Sequence, residues 1–109
     1  NNVYGLDLTD GTKQWEFATG DNVESGIAID SGTAIVGSDD TSIYALDITD
    51  GSEQWEYSTG GAIRSGVAIS NGTAVIGSDD NNIYGMSVQD NIIYKTPKIS
   101  DGSKWVDKA

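Results

Sequence analysis

The 109-residue chain contains no cysteine and no histidine. Without cysteine there is neither a disulfide framework nor a thiolate metal site. Without histidine there is no imidazole ligand, and no serine-histidine or cysteine-histidine pair for nucleophilic catalysis. The sequence therefore predicts a protein that is not an enzyme and that holds no metal and no cofactor.

Basic residues are also few, because 6 lysines and arginines stand against 17 aspartates and glutamates, a net charge of -11. Such a chain repels phosphate backbones and anionic lipid surfaces, so we expect no nucleic-acid partner. The longest apolar stretches run about four or five residues, against the ~20 that span a bilayer, and we expect no membrane insertion. The acidic excess suits a basic partner or a halophilic protein in concentrated salt, and an ordinary acidic extracellular protein is the alternative.

What the chain does contain is an internal repeat of 40 residues. Tyr4, Tyr44 and Tyr84 are spaced by this interval, as are Trp15 and Trp55. When residues 1–40 are compared with residues 41–80, 22 of the 40 positions are identical. Self-similarity at such a period is typical of propellers and solenoids, so the duplication bears directly on the fold.

Each repeat consists of short runs of Ile, Val, Ala, Tyr and Trp separated by Gly, Asp, Asn and Ser, which is typical of strands and turns. In the complete unit we expect four strands, at residues 26–30, 33–38, 43–48 and 53–58. Several strands are apolar at consecutive positions, which indicates that both faces of the sheet are covered. A four-stranded unit covered on both faces by copies of itself predicts an all-β propeller blade, with a stacked β-solenoid as the alternative.

Two segments carry a family resemblance. Residues 45–55 read Ala-Leu-Asp-Ile-Thr-Asp-Gly-Ser-Glu-Gln-Trp, and residues 5–15 repeat the pattern. This motif resembles the tryptophan-docking repeat of pyrroloquinoline-quinone-like (PQQ-like) β-propellers, and the resemblance extends over roughly residues 2–94. It implies that Trp15 and Trp55 are structural wedges between adjacent blades.

The repeat divides residues 1–96 into about two and a half blades, with a half blade at 2–19, a full blade at 25–59 and a third blade at 65–96. Because so few blades cannot close a ring, we expect a segment of a longer propeller or a ring that further copies complete. Residues 97–109 carry a different charge balance and are expected to be a linker or tail. Within the tail, Asp-Gly-Ser-Lys-Trp-Val resembles short segments of structural proteins of tailed viruses.

The loops after the second and fourth strands of each unit are expected to share one rim, because successive strands run in opposite directions. The side chains of this rim are the candidate binding residues: Asp21, Glu24, Asp39, Asp40, Arg64, Asp79 and Asp80. They could hold a cation, a sugar or a basic partner, and the alternative is that they only form turns. Asn71-Gly72-Thr73 is a glycosylation sequon, although Asn-Gly also suits a hairpin turn.

These observations predict a non-catalytic binding or scaffolding segment that is extracellular, in the cell envelope or on a virion. Its expected partners are other blades of the same longer chain or of further copies, and a protein or glycan ligand. The alternative is a fragment of a PQQ-dependent dehydrogenase, for which the resemblance implies quinone and calcium held by acidic and Asn side chains, often with a vicinal disulfide. The lack of cysteine and of an assembled ligand set favours the binding role.

Overall fold

The computed structural model describes residues 1–88 and the backbone of residues 93–95. These residues form ten β-strands, which in chain order are β1 (Asn2–Leu6), β2 (Lys13–Ala18), β3 (Ile27–Asp30), β4 (Thr33–Gly37), β5 (Ser42–Asp47), β6 (Glu53–Ser58), β7 (Val67–Ser70), β8 (Thr73–Gly77), β9 (Ile83–Ser87) and β10 (Ile93–Lys95). No helix within this part of the chain is long and apolar enough to cross a membrane.

The strands make three antiparallel sheets in chain order: β1–β2, β3–β4–β5–β6 and β7–β8–β9–β10. The prediction of four-stranded propeller blades with one half blade is therefore confirmed. The strands of the middle sheet begin and end within one residue of the expected positions. The sheets lie inside the ranges 2–19, 25–59 and 65–96, whereas the predicted tail at 97–109 lies outside the described residues.

Two-residue turns join the inner strands of both complete sheets. Ser31 and Gly32 have φ values of 52° and 79°, and the equivalent Asn71 and Gly72 have 51° and 78°. Paired positive φ values are the geometry that two-residue hairpins require, and Asn and Gly adopt it readily. Asn71 is exposed at its hairpin tip, and its glycosylation stays a prediction.

The core consists of two apolar layers, one in each interface between neighbouring sheets. Val36, Tyr44 and Leu46 of the middle sheet pack against Val3 and, at the edge of the cluster, against partly buried side chains of the half sheet. The other face of the middle sheet packs against the last sheet, with Ile35, Ile43, Ala45, Trp55, Ile63, Ala74, Ile76, Tyr84, Met86 and Val88 buried together. Strands β4 and β5 are therefore covered on both faces, as their consecutive apolar residues predict.

Packing is uneven along the array because each end lacks a neighbour within the described residues. Ile43 of the middle sheet is fully buried, while its repeat equivalent Ile83 in the last sheet is 46% exposed. Both positions hold isoleucine, so the difference in exposure comes from the presence or absence of a neighbouring sheet. The apolar faces of each blade are thus built to be covered by another blade.

Candidate functional site

Arg64 lies at the centre of the acidic rim and contacts carboxylates from both complete sheets. Its Nε donates to Asp39 Oδ1 at 3.0 Å, and Nη2 donates to Asp39 Oδ2 at 3.3 Å. Nη1 lies 3.4 Å from Asp79 Oδ2, and Nε lies 3.4 Å from Glu24 Oε2. The hydrogen bonds and the charge of Asp39, with smaller contributions from Asp79 and Glu24, raise the pKa of Arg64. We call Glu24, Asp39, Arg64 and Asp79 the rim cluster.

The rim cluster forms because the repeat brings two loop positions together, and one of them carries opposite charges in successive units. Glu24 and Arg64 are 40 residues apart, as are Asp39 and Asp79, so each pair occupies the same loop position of successive units. Arg64 reaches the carboxylate of its own blade and that of the preceding one. Three carboxylates face one guanidinium, so the cluster retains negative charge toward solvent.

Asp40 and Asp80 belong to the same loops but have a different role. Asp40 Oδ2 accepts hydrogen bonds from the Tyr44 hydroxyl and from Gly20 N at 2.8 Å, and Oδ1 accepts from Ser42 N at 2.9 Å. Forty residues later, Asp80 makes the equivalent bonds with Tyr84, Gly60 and Asn82. Each carboxylate therefore ties the end of one sheet to a turn of the next sheet. Its oxygens are already engaged within the fold.

The remaining rim candidate, Asp21, lies in the loop between β2 and β3. Its Oδ1 accepts from Asn22 N at 2.8 Å, and its main-chain oxygen accepts from the Thr19 hydroxyl and from Ser38 Oγ. These are turn contacts, and Asp21 does not reach Arg64 within the ion pairs of the described residues. Of the seven candidates, four thus form the rim cluster. The other three, Asp21, Asp40 and Asp80, accept hydrogen bonds that stabilise the loops.

Sequence reasoning missed the tyrosines that complete the Asp40 and Asp80 contacts. The available signal is an Asp-x-x-x-Tyr spacing that recurs 40 residues apart, at Asp40 with Tyr44 and at Asp80 with Tyr84. Burial and the neighbouring carboxylate raise the pKa of both phenols, that of Tyr84 to about 12. Burial opposes ionisation of Asp40 and Asp80, but the hydrogen bonds from tyrosine and backbone outweigh it and lower both pKa values.

The lowered pKa values predict a loss of stability in acid. The pKa of Asp40 is lower in the folded chain than the ~3.9 of an unfolded one. The ionised carboxylate therefore stabilises the fold above pH ~3.9, and this stabilisation is lost as the pH falls through the folded pKa. Asp40→Asn should therefore be less stable than the parent by about 1 to 2 kcal/mol at pH 7, and the difference should shrink toward pH 2. Denaturant melts at a series of pH values measure it.

Asp21→Asn is the matched control, since it changes the same functional group on the same rim without removing an inter-sheet hydrogen bond. Its stability difference from the parent should be small at neutral pH. A difference between parent and Asp40→Asn that stays constant from pH 7 to pH 2 would contradict the charged hydrogen-bond role.

Trp15 and Trp55 lie between successive sheets, at the position that the repeat predicts for inter-blade wedges. Trp15 Nε1 donates to the carbonyl oxygen of Ile48 at 2.9 Å, and Trp55 Nε1 donates to that of Val88 at 3.0 Å. The ring of Trp15 also packs on Gly51, where an added Cβ would lie 2.4 Å from Trp15 Cε3. Gly51 has a φ of 76°, so the turn also needs glycine for its backbone. Each indole therefore fastens its sheet to the turn of the following one.

Two aspartates in the loop before Trp15 stabilise its turn by accepting hydrogen bonds from nearby threonines. Asp7 Oδ1 accepts from the backbone and the hydroxyl of Thr9, and Asp10 Oδ1 accepts from Thr12 in the same way. Across residues 1–88, no three Asp, Glu, His or Cys side chains are grouped so that they could hold a metal ion.

Several solved structures are similar in fold to this chain. BamB from Moraxella catarrhalis superposes with a TM-score of 0.75 at 19% identity, over 89% of this chain and 30% of that one. A europium-containing methanol dehydrogenase gives 0.73 at 17% identity, over 87% of this chain and 21% of that one. The computationally designed protein Ika8 gives 0.69 at 13% identity, over 78% and 27%. At these identities the likeness shows the fold alone.

The chain spans about a third or less of the lengths of these three proteins. A search of curated protein sequences finds no significant match. The sequence itself matches a family described as outer membrane protein assembly factor BamB, over residues 1–102. The 40-residue repeat, the two docked tryptophans and this match over most of the chain agree, and the chain belongs to the BamB family of PQQ-like β-propeller repeats.

Proposed function

We propose that this chain supplies blades to a non-catalytic β-propeller that binds or scaffolds other proteins in the cell envelope. The observation that carries the proposal is the rim cluster, in which carboxylates from loops of two successive blades surround Arg64. The family description, an outer membrane protein assembly factor, supports an envelope setting and a role in protein assembly. An extracellular or virion setting stays a prediction from the sequence.

The rim favours a basic protein segment over a glycan as ligand. Across the loops at 19–25, 38–41, 59–65 and 78–82 there are six carboxylates and one guanidinium. The side chains of Glu24 and Asp79 are about half exposed. A surface of one charge sign attracts partners of the opposite sign, with an affinity that falls as salt screens the charges.

A short polyarginine peptide tests this role by calorimetric titration at low and moderate salt. The variant Glu24→Gln/Asp79→Asn removes two exposed charges but leaves Asp39, which makes the closest contacts with Arg64. We expect it to bind the peptide roughly tenfold more weakly, because two carboxylates that attract the peptide are removed. A tenfold change in the dissociation constant corresponds to about 1.4 kcal/mol.

The variant Asp30→Asn/Glu53→Gln removes the same charge from the opposite end of the middle sheet and is the matched control. It should bind nearly as the parent does. Equal losses in both variants would mean attraction to net charge rather than to the rim. Absence of binding by the parent at low salt would contradict a basic ligand.

The alternative, a segment of a PQQ-dependent dehydrogenase, shares the propeller fold with the europium-containing methanol dehydrogenase. It requires a quinone and a metal ion to bind together. Titrating the chain with quinone and calcium, with absorbance as the readout, distinguishes the two functions. Saturable spectral change would favour the dehydrogenase, and its absence would leave the binding role.

A further inference from the structure

The tip of the inner hairpin in the last sheet is a position where the two complete blades differ in sequence. It consists of Asn71 and Gly72, whose repeat equivalents in the middle sheet are Ser31 and Gly32. Both tips are two-residue turns with a positive φ at both positions. Asn71 is also the only asparagine of the chain that a glycine follows. The two tips therefore share a backbone geometry but differ in chemistry, because only one carries a side-chain amide.

An asparagine amide can react with the backbone nitrogen of the next residue, and the turn leaves that nitrogen accessible at Gly72. The pairing of β7 with β8 ends at Ser70 and Thr73, so the ladder does not use the Gly72 N–H. A Cβ built on Gly72 would meet nothing within 4 Å, so the tip stands in open space. Asn71 is exposed, and no hydrogen bond among the described residues restrains its side chain. The nucleophile, the amide and solvent therefore meet at this tip.

Two asparagines in other loops lack this combination. Asn81 also has a positive φ, 73°, but the next backbone N–H belongs to Asn82 and donates to Asp80 Oδ1 at 2.9 Å. That nitrogen is therefore held away from the amide. Asn22 precedes a valine, whose branched side chain restricts the approach of the backbone nitrogen. The structure thus predicts that Asn71 reacts before Asn22 or Asn81.

A chemical change at the tip would reach the interface between the two complete sheets. Gly72 O accepts a hydrogen bond from Val88 N at 2.9 Å. The carbonyl oxygen of Val88 accepts in turn from Trp55 Nε1 at 3.0 Å. Val88 is fully buried in the cluster between these sheets. The hairpin tip and the Trp55 wedge are therefore linked through one buried residue.

We propose that Asn71 is a site of spontaneous modification, at which the side-chain amide is lost through a cyclic imide with water as the co-reactant. Gly72 N gives up its proton to solvent base and bonds to Asn71 Cγ. The bond from Cγ to Nδ2 breaks, and Nδ2 takes up a proton and leaves as ammonia. Water then opens the imide on either side of the ring nitrogen. Cleavage between the nitrogen and Cγ gives aspartate, and cleavage between the nitrogen and the main-chain carbonyl carbon gives isoaspartate.

The two products act on the fold differently. Aspartate keeps the backbone and adds one negative charge to a chain whose net charge is already -11. Isoaspartate adds the same charge and also inserts one carbon into the backbone of the turn. Because the length of a hairpin turn fixes the register of its strands, the inserted carbon disturbs the tip. Isoaspartate at residue 71 should therefore displace Gly72 O from Val88 N, whereas aspartate should not.

Incubation of the full chain in mildly alkaline buffer, followed by peptide mapping with mass spectrometry, tests the proposal. Asn71 should lose its amide at a rate within about tenfold of that in an unstructured peptide of residues 68–75, since exposed turns open at little cost in free energy. A site that reacted only after global unfolding would be slower by about a thousandfold or more. The loss at Asn81 should be slower than at Asn71 by about tenfold or more, because a hydrogen bond to a charged group must break first.

Two variants separate the chemistry from its structural effect. Asn71→Ser copies the serine of the middle sheet and should show no mass change at this tip. Asn71→Asp supplies the charge without the extra backbone carbon. Amide exchange at Val88 should be faster by about tenfold or more in the isolated isoaspartate form than in the parent, and unchanged in Asn71→Asp.

The proposal is upheld if Asn71 reacts within about tenfold of the peptide rate and Asn71→Ser stays unmodified. It is overturned if the loss at Asn71 is slower than this, or no faster than the loss at Asn81. Equal exchange at Val88 in the isoaspartate form and in Asn71→Asp would overturn the link between the tip and the sheet interface.

Discussion

Replacing Trp55 with alanine is expected to lower the free energy of unfolding by about 3 to 5 kcal/mol, the usual cost of removing a buried aromatic side chain. Trp55 is almost fully buried between the middle and last sheets, where it packs with Ile63, Tyr84 and Met86 in one cluster. The substitution also leaves the carbonyl of Val88 without the indole donor. Denaturant unfolding followed by circular dichroism measures the loss.

Trp15 provides the matched comparison, because it makes the equivalent hydrogen bond but is only partly buried. Trp15→Ala should therefore cost clearly less than Trp55→Ala. Trp55→Phe should lie between the parent and Trp55→Ala, since it keeps most of the apolar contact and loses the N–H donor. A loss below about 1 kcal/mol for Trp55→Ala would show that the ring does not hold the two sheets together.

The fold was predictable because its information is local and is repeated. Alternating strand and turn residues gave the strands of the middle sheet to within one residue, and the 40-residue period gave their equivalents in the last sheet. Burial was less predictable, because it depends on neighbours. Ile43 and Ile83 are the same residue at the same repeat position, yet only Ile43 is covered by another sheet.

The site was predictable to the level of the loop but not of the side chain. Strand direction predicted one rim for Asp39, Arg64 and Asp79, and in the structure their side chains form ion pairs. Asp39 and Asp40 are adjacent in the sequence and look alike, but Asp39 faces Arg64 while Asp40 faces Tyr44. That difference follows from the turn, in which Thr41 has a φ of 79°, and from contacts with residues about 20 positions away.

The same dependence on neighbours makes two equivalent glycines respond oppositely to substitution. A Cβ on Gly37 would lie 2.0 Å from Cγ2 of Ile63, which is fully buried and cannot move aside into solvent. A Cβ on Gly77 would meet nothing nearer than Ser65 Oγ at 3.4 Å, an ordinary contact. Gly37→Ala is therefore expected to destabilise the chain by about 3 kcal/mol, at the upper end of overpacking. Gly77→Ala should be neutral or stabilising by about 0.5 kcal/mol, because glycine loses more backbone entropy on folding than alanine does.

Thermal and denaturant melts of the two variants measure this contrast, and a third variant identifies its cause. If the clash with Ile63 is responsible, Gly37→Ala should cost much less in an Ile63→Ala background, where the space beside β4 is free. The four proteins of this double-mutant cycle should then give a coupling free energy of about 1 to 2 kcal/mol, as expected for residues in direct contact. Equal costs for Gly37→Ala in both backgrounds, or equal costs for Gly37→Ala and Gly77→Ala in the parent, would mean that the sheet interface does not pack as closely as Gly37 requires. The close approach at Gly37 holds the middle and last sheets together from the inner strands, just as Trp55 does from the outer strand.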